Sequence, residues 1–289
     1  MHYSPLRYPG GKAKLASFMG FIVEKMDISG GTYIEPFAGG AGIAIELLLT
    51  DKVNHIVIND YDKAIASFWH AVTKENARLI DAIYNVPITI DEWYRQKKIL
   101  QNSKNMCFEL GFATFFLNRT NRSGILNGGP IGGYKQEGNW SLDVRFNKEN
   151  LITRIKAIGE RRKNITVYNK DANQLIKNYL PRYGEKALIY FDPPYYEKGN
   201  ELYMNHFENK DHKKIEQSIR ENVKCKWIIT YDDVEEIRHI YDGYITKRFE
   251  LNYSAAKKRT AQELMIFSHE GLCPTNQELS EHGLTLQFK

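Results

Sequence analysis

Residues 30–49 read GGTYIEPFAGGAGIAIELLL and hold a complete strand, glycine turn and helix. The run TYIE is prone to β structure, the glycines after it mark a tight turn, and GIAIELLL is typical of a helix. Residues 55–72, HIVINDYDKAIASFWHAV, repeat this order with an acidic turn in place of the glycines. Repeated strand–turn–helix units predict an α/β fold with a largely parallel sheet.

Three later segments also read as strands that end in acidic or turn residues. They are NITVYNKDANQLI (164–176), KALIYFDPPYY (186–196) and CKWIITYDDVEEIRHIY (225–241). Residues 76–165 break this rhythm, because they open with helical stretches and pass into a loop rich in Gly and Asn. We therefore predict one α/β domain, formed by residues 1–75 and 166–289, with a mostly helical insertion at 76–165.

Composition limits the class of protein. The 289 residues are 42% hydrophobic and 26% charged, which is ordinary for a soluble domain with a sizeable core. No apolar stretch is long enough to span a membrane, and the start MHYSPLRYPGGK lacks the apolar region of a signal peptide. Cys107, Cys225 and Cys273 have no metal-type spacing, so we expect reduced thiols in a cytoplasmic protein.

The positive charge is concentrated in the predicted insertion. Residues 85–165 carry 14 Lys and Arg against 7 Asp and Glu, although the whole chain has a net charge of only +5. A solvated face explains many such runs. Here the segment FFLNRTNRSGILNGGPIGGYKQEGNW (115–140) adds Arg, Asn, Gly and aromatic residues, which suits contact with nucleic-acid phosphates and base edges.

Polar residues follow the predicted strands at the edge where open parallel sheets bind ligands. Gly39, Gly40 and Gly42 follow the first strand, and Asp60 ends the second, where an acid can bind ribose hydroxyls. Asp171 follows a third strand. This pattern favours a nucleoside-containing cofactor. The segment FAGGAG does not match GxGxxG, however, so a purely structural turn is the alternative.

The segment DPPY, at 192–195, favours a particular chemistry. The Asp192 carboxylate and the Pro193 carbonyl can accept the two N–H groups of a planar amine and direct its lone pair at an electrophilic methyl group. Two prolines hold these acceptors rigid, and Tyr195 can stack on a base. A base in a duplex must be flipped out to reach such a pocket. The alternative is an Asp-Pro turn that merely ends a strand.

These segments together resemble the Dam-type DNA adenine-N6 methyltransferases. PLRYPGGK is similar to the family's N-terminal cofactor motif, YIEPFAGGAG to its glycine motif, IND to its ribose acid, FFLNRTNRSGI to its recognition region and DPPYY to its catalytic motif. The late segment NYSAAKKRTAQELMI is similar to the closing strand pair. The resemblance implies a Rossmann-like class I methyltransferase sheet, S-adenosylmethionine as cofactor without a metal, and residues 76–165 as a target-recognition insertion.

Site residues follow from this resemblance. It implies a catalytic pocket made of Asp192, Pro193, Pro194 and Tyr195. It implies cofactor contacts from Tyr8, Lys12, Pro36, Phe37, Gly39, Asp60, Asp171 and Asp192. It leaves structural roles open, since Lys12 can be a solvated lysine, Phe37 a core aromatic and Asp171 a helix N-cap.

DNA contacts are expected from the insertion and from the late hairpin. The candidates are Arg119, Asn121, Arg122, Lys135, Lys257, Lys258 and Arg259. Arg119 and Arg122 can read guanines or hold phosphates, and the hairpin residues can equally form a solvated basic turn. The chain departs from the family pattern at Pro9, which follows Tyr8, and in the recognition region, so we assign no target sequence.

The expected partner is double-stranded DNA, bound by a monomer, with a cognate restriction endonuclease as a further partner. An enzyme that methylates RNA guanine or protein glutamine is an alternative, since related pockets serve planar amines generally. A catalytically silent DNA-binding relative is another, although an intact DPPY and Asp60 argue against it. A nicotinamide-dependent oxidoreductase leaves DPPYY unexplained.

Overall fold

A computed structural model describes residues 3–7, 12, 15–196, 207–253 and 259–289, with the backbone alone at 251–253 and 259–261. Seven strands of the described chain form one sheet. They are β1 Thr32–Glu35, β2 His55–Asn59, β3 Ile165–Tyr168, β4 Ala187–Phe191, β5 Lys226–Asp232, β6 Ile245–Tyr253 and β7 Arg259–Phe267.

The strand order is β3-β2-β1-β4-β5-β7-β6. The first five strands in chain order are parallel, and β7 runs antiparallel between β5 and β6. From β1 the chain builds outward to β2 and β3, and then returns to place β4 on the other side of β1. This reversal creates a ligand crevice beyond the carboxyl ends of β1 and β4. The predicted α/β fold with a Rossmann-like sheet is confirmed.

Eleven α-helices connect these strands in the described part of the chain. They are α1 Ala16–Lys25, α2 Gly42–Leu49, α3 Lys63–Lys74, α4 Asn76–Asn85, α5 Ile90–Asn102, α6 Phe108–Thr120, α7 Lys148–Glu160, α8 Ala172–Asn178, α9 Asn209–Asn222, α10 Glu235–Ile240 and α11 Asn276–Glu281. None of these helices has the length and hydropathy needed to cross a bilayer.

Both faces of the sheet are buried, as its near-continuous apolar strands require. Successive residues of β1 point to opposite faces, so Tyr33 packs in one apolar cluster and Ile34 in the other. The second cluster also contains Leu175 of α8 and Ile215 of α9.

The segment between α3 and β3 is helical and shares the first apolar cluster with the sheet. Ile83 of α4, Phe115 of α6 and Ile155 of α7 are fully buried there beside Tyr33 and Ile58. Helices α4 to α7 therefore form one continuous core with the α/β part. The long Gly/Asn-rich loop lies between α6 and α7.

Candidate active site

The glycine turn after β1 is held by two neighbouring elements. Gly39 has φ +47° and Ala41 has φ +44°, both in the left-handed region, which explains why the turn uses small residues. Trp69 of α3 donates its indole N–H to the Gly39 carbonyl over 2.9 Å. The Gly39 amide donates to Asp60 Oδ2 over 2.8 Å. The turn is thus tied to the end of β2.

Asp60 lies where the sequence predicted a ribose acid. Its Oδ1 also accepts the Asp62 amide over 2.9 Å, so each carboxylate oxygen already has one backbone partner. Burial raises the pKa of Asp60 to about 7, and the nearby charge of Asp62 adds to that effect. Each oxygen keeps a further lone pair with which to accept a ligand hydroxyl.

One cavity of about 860 Å³ lies over the carboxyl edge of the sheet. It brings together all seven predicted cofactor residues that the structure describes, and two of the other predicted site residues. The predicted residues that line it are Lys12, Pro36, Phe37, Gly39, Asp60, Arg119, Asp171, Asp192 and Pro194. Pro193 is buried beside it and is not among the lining residues.

Asp171 serves its own helix and also reaches the cavity. Its Oδ1 accepts the amides of Asn173 over 3.0 Å and Gln174 over 3.2 Å, so it is the N-cap of α8. The same residue lines the cavity. The capping role that the sequence left open is therefore present, and it does not remove Asp171 from the ligand space.

Asp192 follows β4, and its side chain is 22% exposed. Thr230 of β5 donates its hydroxyl to Asp192 Oδ1 over 3.2 Å, and the Tyr190 hydroxyl lies 2.7 Å from the same Thr230 oxygen. Burial raises the pKa of Asp192 to about 6; Lys12 lowers it and Glu263 raises it further. At neutral pH Asp192 is therefore mostly ionised and can accept hydrogen bonds.

Lys12 lies beside the DPPY segment as well as on the cavity wall. Its side chain is 2% exposed, and its Nζ is 2.8 Å from Glu263 Oε2 and 3.7 Å from Asp192 Oδ1. It also donates to the Tyr195 hydroxyl and lies 4.7 Å from the centroid of that ring. Lys12 is therefore a buried, ion-paired lysine, and the solvated alternative is wrong.

Several residues around the cavity had not been singled out from the sequence. Buried Asn59 donates to the Pro36 carbonyl over 2.8 Å and accepts the Lys170 amide over 2.9 Å, so it joins the ends of three strands. Tyr61 is 62% exposed and lines the cavity next to Asp60. The acidic IND and DYD pattern around Asp60 was the available signal for both.

Four arginines line the same cavity: Arg7, Arg119, Arg145 and Arg154. Arg119 is 9% exposed, and its Nε has no hydrogen-bond partner among the described residues. Burial lowers the pKa of Arg119 to about 9, with help from the charges of the other three arginines. Of these four, the sequence had indicated Arg119 alone. The other three come from distant segments that no local motif connects.

The remaining predicted DNA residues lie outside this cavity lining. Arg122 and Lys135 are exposed on the loop after α6. Asn121 is 0% exposed, because its amide accepts the Trp93 indole N–H over 2.6 Å and donates to the carbonyls of Ile125 and Leu126. The Asn121 side chain therefore holds the loop in shape and does not face a ligand.

Four further predicted residues cannot be placed. Tyr8, Lys257 and Lys258 lie outside the described residues, as does the side chain of Arg259, whose backbone belongs to β7. Within the described part of the chain, no group of three or more His, Cys, Asp or Glu side chains is arranged to hold a metal ion.

Comparison with known proteins gives a consistent family assignment. A family model described as D12 class N6 adenine-specific DNA methyltransferase matches residues 8–258. Type II methyltransferase M.MjaIII of Methanocaldococcus jannaschii is 26% identical over 204 residues, which cover 66% of this chain and 68% of that protein. Type II methyltransferase M.CviBI of Paramecium bursaria Chlorella virus NC1A is 23% identical over 262 residues, covering 86% and 90%.

Solved structures are similar at a lower level. The rRNA methyltransferase aviRa from Streptomyces viridochromogenes has a TM-score of 0.41 and 11% identity, and the match covers 92% of this chain and 88% of that one. The assignment of the fold depends on the strand order given above and not on this likeness.

Proposed function

This chain belongs to the D12 class N6 adenine-specific DNA methyltransferase family, and from that premise we propose that it methylates a flipped adenine of double-stranded DNA at a specific site. Membership of the family makes it an adenine-specific DNA methyltransferase that uses S-adenosylmethionine. The flipped base, the residues that act on it and the double-stranded form of the substrate are the parts that we propose.

One observation carries the proposal. Asp60 at the end of β2 and Asp192 at the end of β4 line the same cavity, with β1 between them. The cavity thus offers a place for a nucleoside over β1 and β2 and a place for a planar amine at β4. A methyl donor and its acceptor have to meet in this way for direct transfer.

The cofactor end of the cavity suits S-adenosylmethionine. Asp60 accepts the ribose hydroxyls, Asp171 lies near the adenine, and the exposed Tyr61 ring offers a stacking surface for that base. The backbone of the glycine turn gives close approach at Gly39. The cofactor supplies a methyl group on a cationic sulfur, which leaves as a neutral thioether.

The target amine meets the opposite end. Asp192 Oδ1 is held by Thr230, so Oδ2 is the oxygen that accepts one N–H of the adenine N6 amine. The Pro193 carbonyl accepts the other N–H, and the Tyr195 ring stacks on the base. When the methyl donor is bound, the amine lone pair would form the new bond to carbon as the carbon–sulfur bond breaks, and Asp192 would take the proton that the amine loses.

The four arginines indicate how the DNA approaches. Arg7, Arg119, Arg145 and Arg154 line the cavity without an ion-pair partner among the described residues, and for Arg119, which is buried, an unpaired charge is costly. We assign Arg119 and its three neighbours to phosphates close to the extruded nucleotide. Phosphate contacts position the duplex without reading its sequence, so the base-reading role falls to the exposed loop residues Arg122 and Lys135.

The remaining partners stay proposals. We propose that Lys257 and Lys258, which lie in the chain between β6 and β7, and Arg259, the first residue of β7, contact backbone phosphates. We propose that the enzyme acts as a monomer in the cytoplasm, and that a restriction endonuclease is its functional partner. The type II designation of both curated relatives favours that pairing.

The test is methyl transfer from labelled S-adenosylmethionine to unmethylated genomic DNA, followed by single-molecule sequencing of modified bases. We expect N6-methyladenine in one short sequence, and Asp192→Ala should abolish it while DNA binding persists. Methylation by Asp192→Ala at the wild-type rate would refute the role of Asp192. Label in RNA or protein but not in DNA would refute the proposed substrate.

A further inference from the structure

Glu263 is a buried carboxylate in β7, directly beneath the catalytic motif. Its side chain is 1% exposed, and in the sheet it lies opposite Asp232 of β5 and Phe249 of β6. A buried charge is costly unless it is paired. Glu263 Oε2 is 2.8 Å from the Lys12 ammonium, and Glu263 Oε1 accepts the Tyr195 hydroxyl over 2.9 Å.

Two carboxylates that are neighbours in the sheet hold successive residues of the catalytic segment. Glu263 binds the hydroxyl of Tyr195, and its cross-strand neighbour Asp232 accepts the Tyr196 amide over 2.9 Å. The segment after Pro194 is therefore attached to both β5 and β7. Stacking on a base uses only the ring of Tyr195, so its hydroxyl is available as an anchor.

The Lys12 ammonium is shared between two carboxylates. It lies 2.8 Å from Glu263 and 3.7 Å from Asp192. Because Glu263 is a buried residue of β7, its ion pair fixes the position of the Lys12 ammonium. It thereby determines how strongly the positive charge of Lys12 acts on Asp192. Removing the negative charge at 263 would leave the Lys12 cation to Asp192 alone.

We propose that Glu263 is a positioning residue for methyl transfer, which fixes the Tyr195 ring at the base-stacking position and holds the Lys12 ammonium beside Asp192. This inference rests on the proposed function, because it requires Asp192 and Tyr195 to act on a base. Glu263 itself is not among the residues that line the cavity.

Several other groups influence Asp192 and must be kept constant in a test. The titratable groups that face Asp192 or Glu263 are Lys12, Tyr33 and Glu35 of β1, Tyr190 of β4, Tyr231 and Asp232 of β5, and Tyr195. Lys12 is the cation in this set, and Glu263 opposes its effect on Asp192. Loss of the Glu263 charge therefore favours ionised Asp192 and lowers its pKa.

Three variants separate the two roles. Glu263→Gln keeps an oxygen to accept the Tyr195 hydroxyl but loses the charge. Glu263→Ala loses both, and Tyr195→Phe keeps the ring but loses its anchor. Glu92→Gln is the matched control, because Glu92 is a buried glutamate that forms an ion pair with Arg95 on α5, in the segment between α3 and β3.

The measurements are kcat and the KM for DNA from pH 5 to 8, together with calorimetric affinity for S-adenosylhomocysteine and thermal unfolding. For Glu263→Gln we expect the acid limb of the kcat profile to move about half a pH unit or more to lower pH. For Glu263→Ala and Tyr195→Phe we expect kcat to fall about tenfold, with KM and cofactor affinity within about twofold. The double variant Glu263→Ala with Tyr195→Phe should have a kcat no lower than that of the slower single variant.

Two results would overturn the inference while leaving the proposed function intact. One is a folded Glu263→Gln variant whose kcat profile has the same acid limb as the profiles of the wild type and of Glu92→Gln. The other is Tyr195→Phe with wild-type kcat, which decides the matter even if neither Glu263 variant folds. A wild-type enzyme that transfers no methyl group to DNA would overturn the proposed function and this inference together.

Discussion

Three carboxyl groups near the ligand crevice have pKa values well above those of exposed acids. The pKa of Glu35 is about 8, that of Asp60 about 7 and that of Asp192 about 6, and burial is the first cause in each. Between the unfolded and folded pKa of such a group, the folded chain binds more protons than the unfolded chain. Its contribution to stability therefore falls as pH rises through that window.

Glu35→Gln tests this sign at a single residue. Glu35 is 5% exposed and its Oε1 accepts the Ala44 amide over 3.1 Å, a bond that a glutamine oxygen can also accept. In the wild type, the contribution of Glu35 to the free energy of unfolding should fall as the pH rises from its ordinary pKa of 4.5 to about 8. The variant has no carboxyl group at this position and should show no such fall. The free energy of unfolding of the variant minus that of the wild type should thus increase from pH 5 to 8 in urea titrations. A difference that decreases over this range would contradict the burial argument.

Asp192→Asn should leave the cavity intact but remove the acceptor that we propose for the target amine. An asparagine oxygen can still accept from Thr230, so we expect little loss of stability. We expect kcat to fall about a thousandfold, and the KM for DNA to change little. Since the pKa of Asp192 is about 6, wild-type kcat should decline below that pH as the carboxylate is protonated. Steady-state kinetics over pH 5–8 measures both effects.

At the scale of elements, helix α8 shows how one acid can serve two purposes. Asp171 caps the helix and also lines the cavity. Asp171→Ser keeps a capping hydroxyl, whereas Asp171→Ala removes the cap, which costs about 1 kcal/mol. We expect both variants to bind S-adenosylhomocysteine more weakly, but only the alanine variant to unfold earlier in urea. Equal stability of the two variants would show that the cap contributes nothing.

Strands β2, β4 and β5 could be predicted from the sequence because the residues of each strand favour β structure locally. The runs IVIN, ALIYF and WIITY are apolar and flanked by turn residues, and they form β2, β4 and β5. The acids after them are found at the carboxyl edge, as expected for parallel strands. Asn121 was predicted to contact DNA, and its burial could not be read from the local sequence. Its partner Trp93 is 28 residues away and belongs to another helix.

At the scale of the molecule, the cavity is lined by charged residues of both signs. Asp60, Asp62 and Asp171 are among its acids, and the four arginines contribute positive charge. Changing Arg145 and Arg154 together to Gln should reduce the slope of log affinity against log salt by about 2, since each phosphate contact contributes about 0.9. Arg220→Gln with Arg238→Gln is the control, because both are exposed and ion-paired on other helices. An unchanged slope in nitrocellulose filter binding would contradict phosphate contact.

Contacts between distant segments were the part of the site that sequence reasoning missed. Lys12, Asp192 and Glu263 meet although 251 residues separate the first from the last. The arginines at 7, 119, 145 and 154 likewise come from four separate segments. Spacing along the chain carries no signal for such encounters, because packing of helices onto the sheet creates them. Motifs therefore predicted which residue types take part, and the structure supplied their neighbours.

The single apolar core that joins helices α4 to α7 to the sheet has an evolutionary consequence. Exchange of the segment that carries Phe115 and Ile155 would leave cavities in the cluster that these residues share with Tyr33 and Ile58, unless the new side chains filled the same space. We propose that the exposed loop reads the target, and substitutions there, at residues such as Arg122 and Lys135, would leave this core intact. Exchange of the whole segment between relatives would instead require matching changes in the sheet residues that belong to the same cluster.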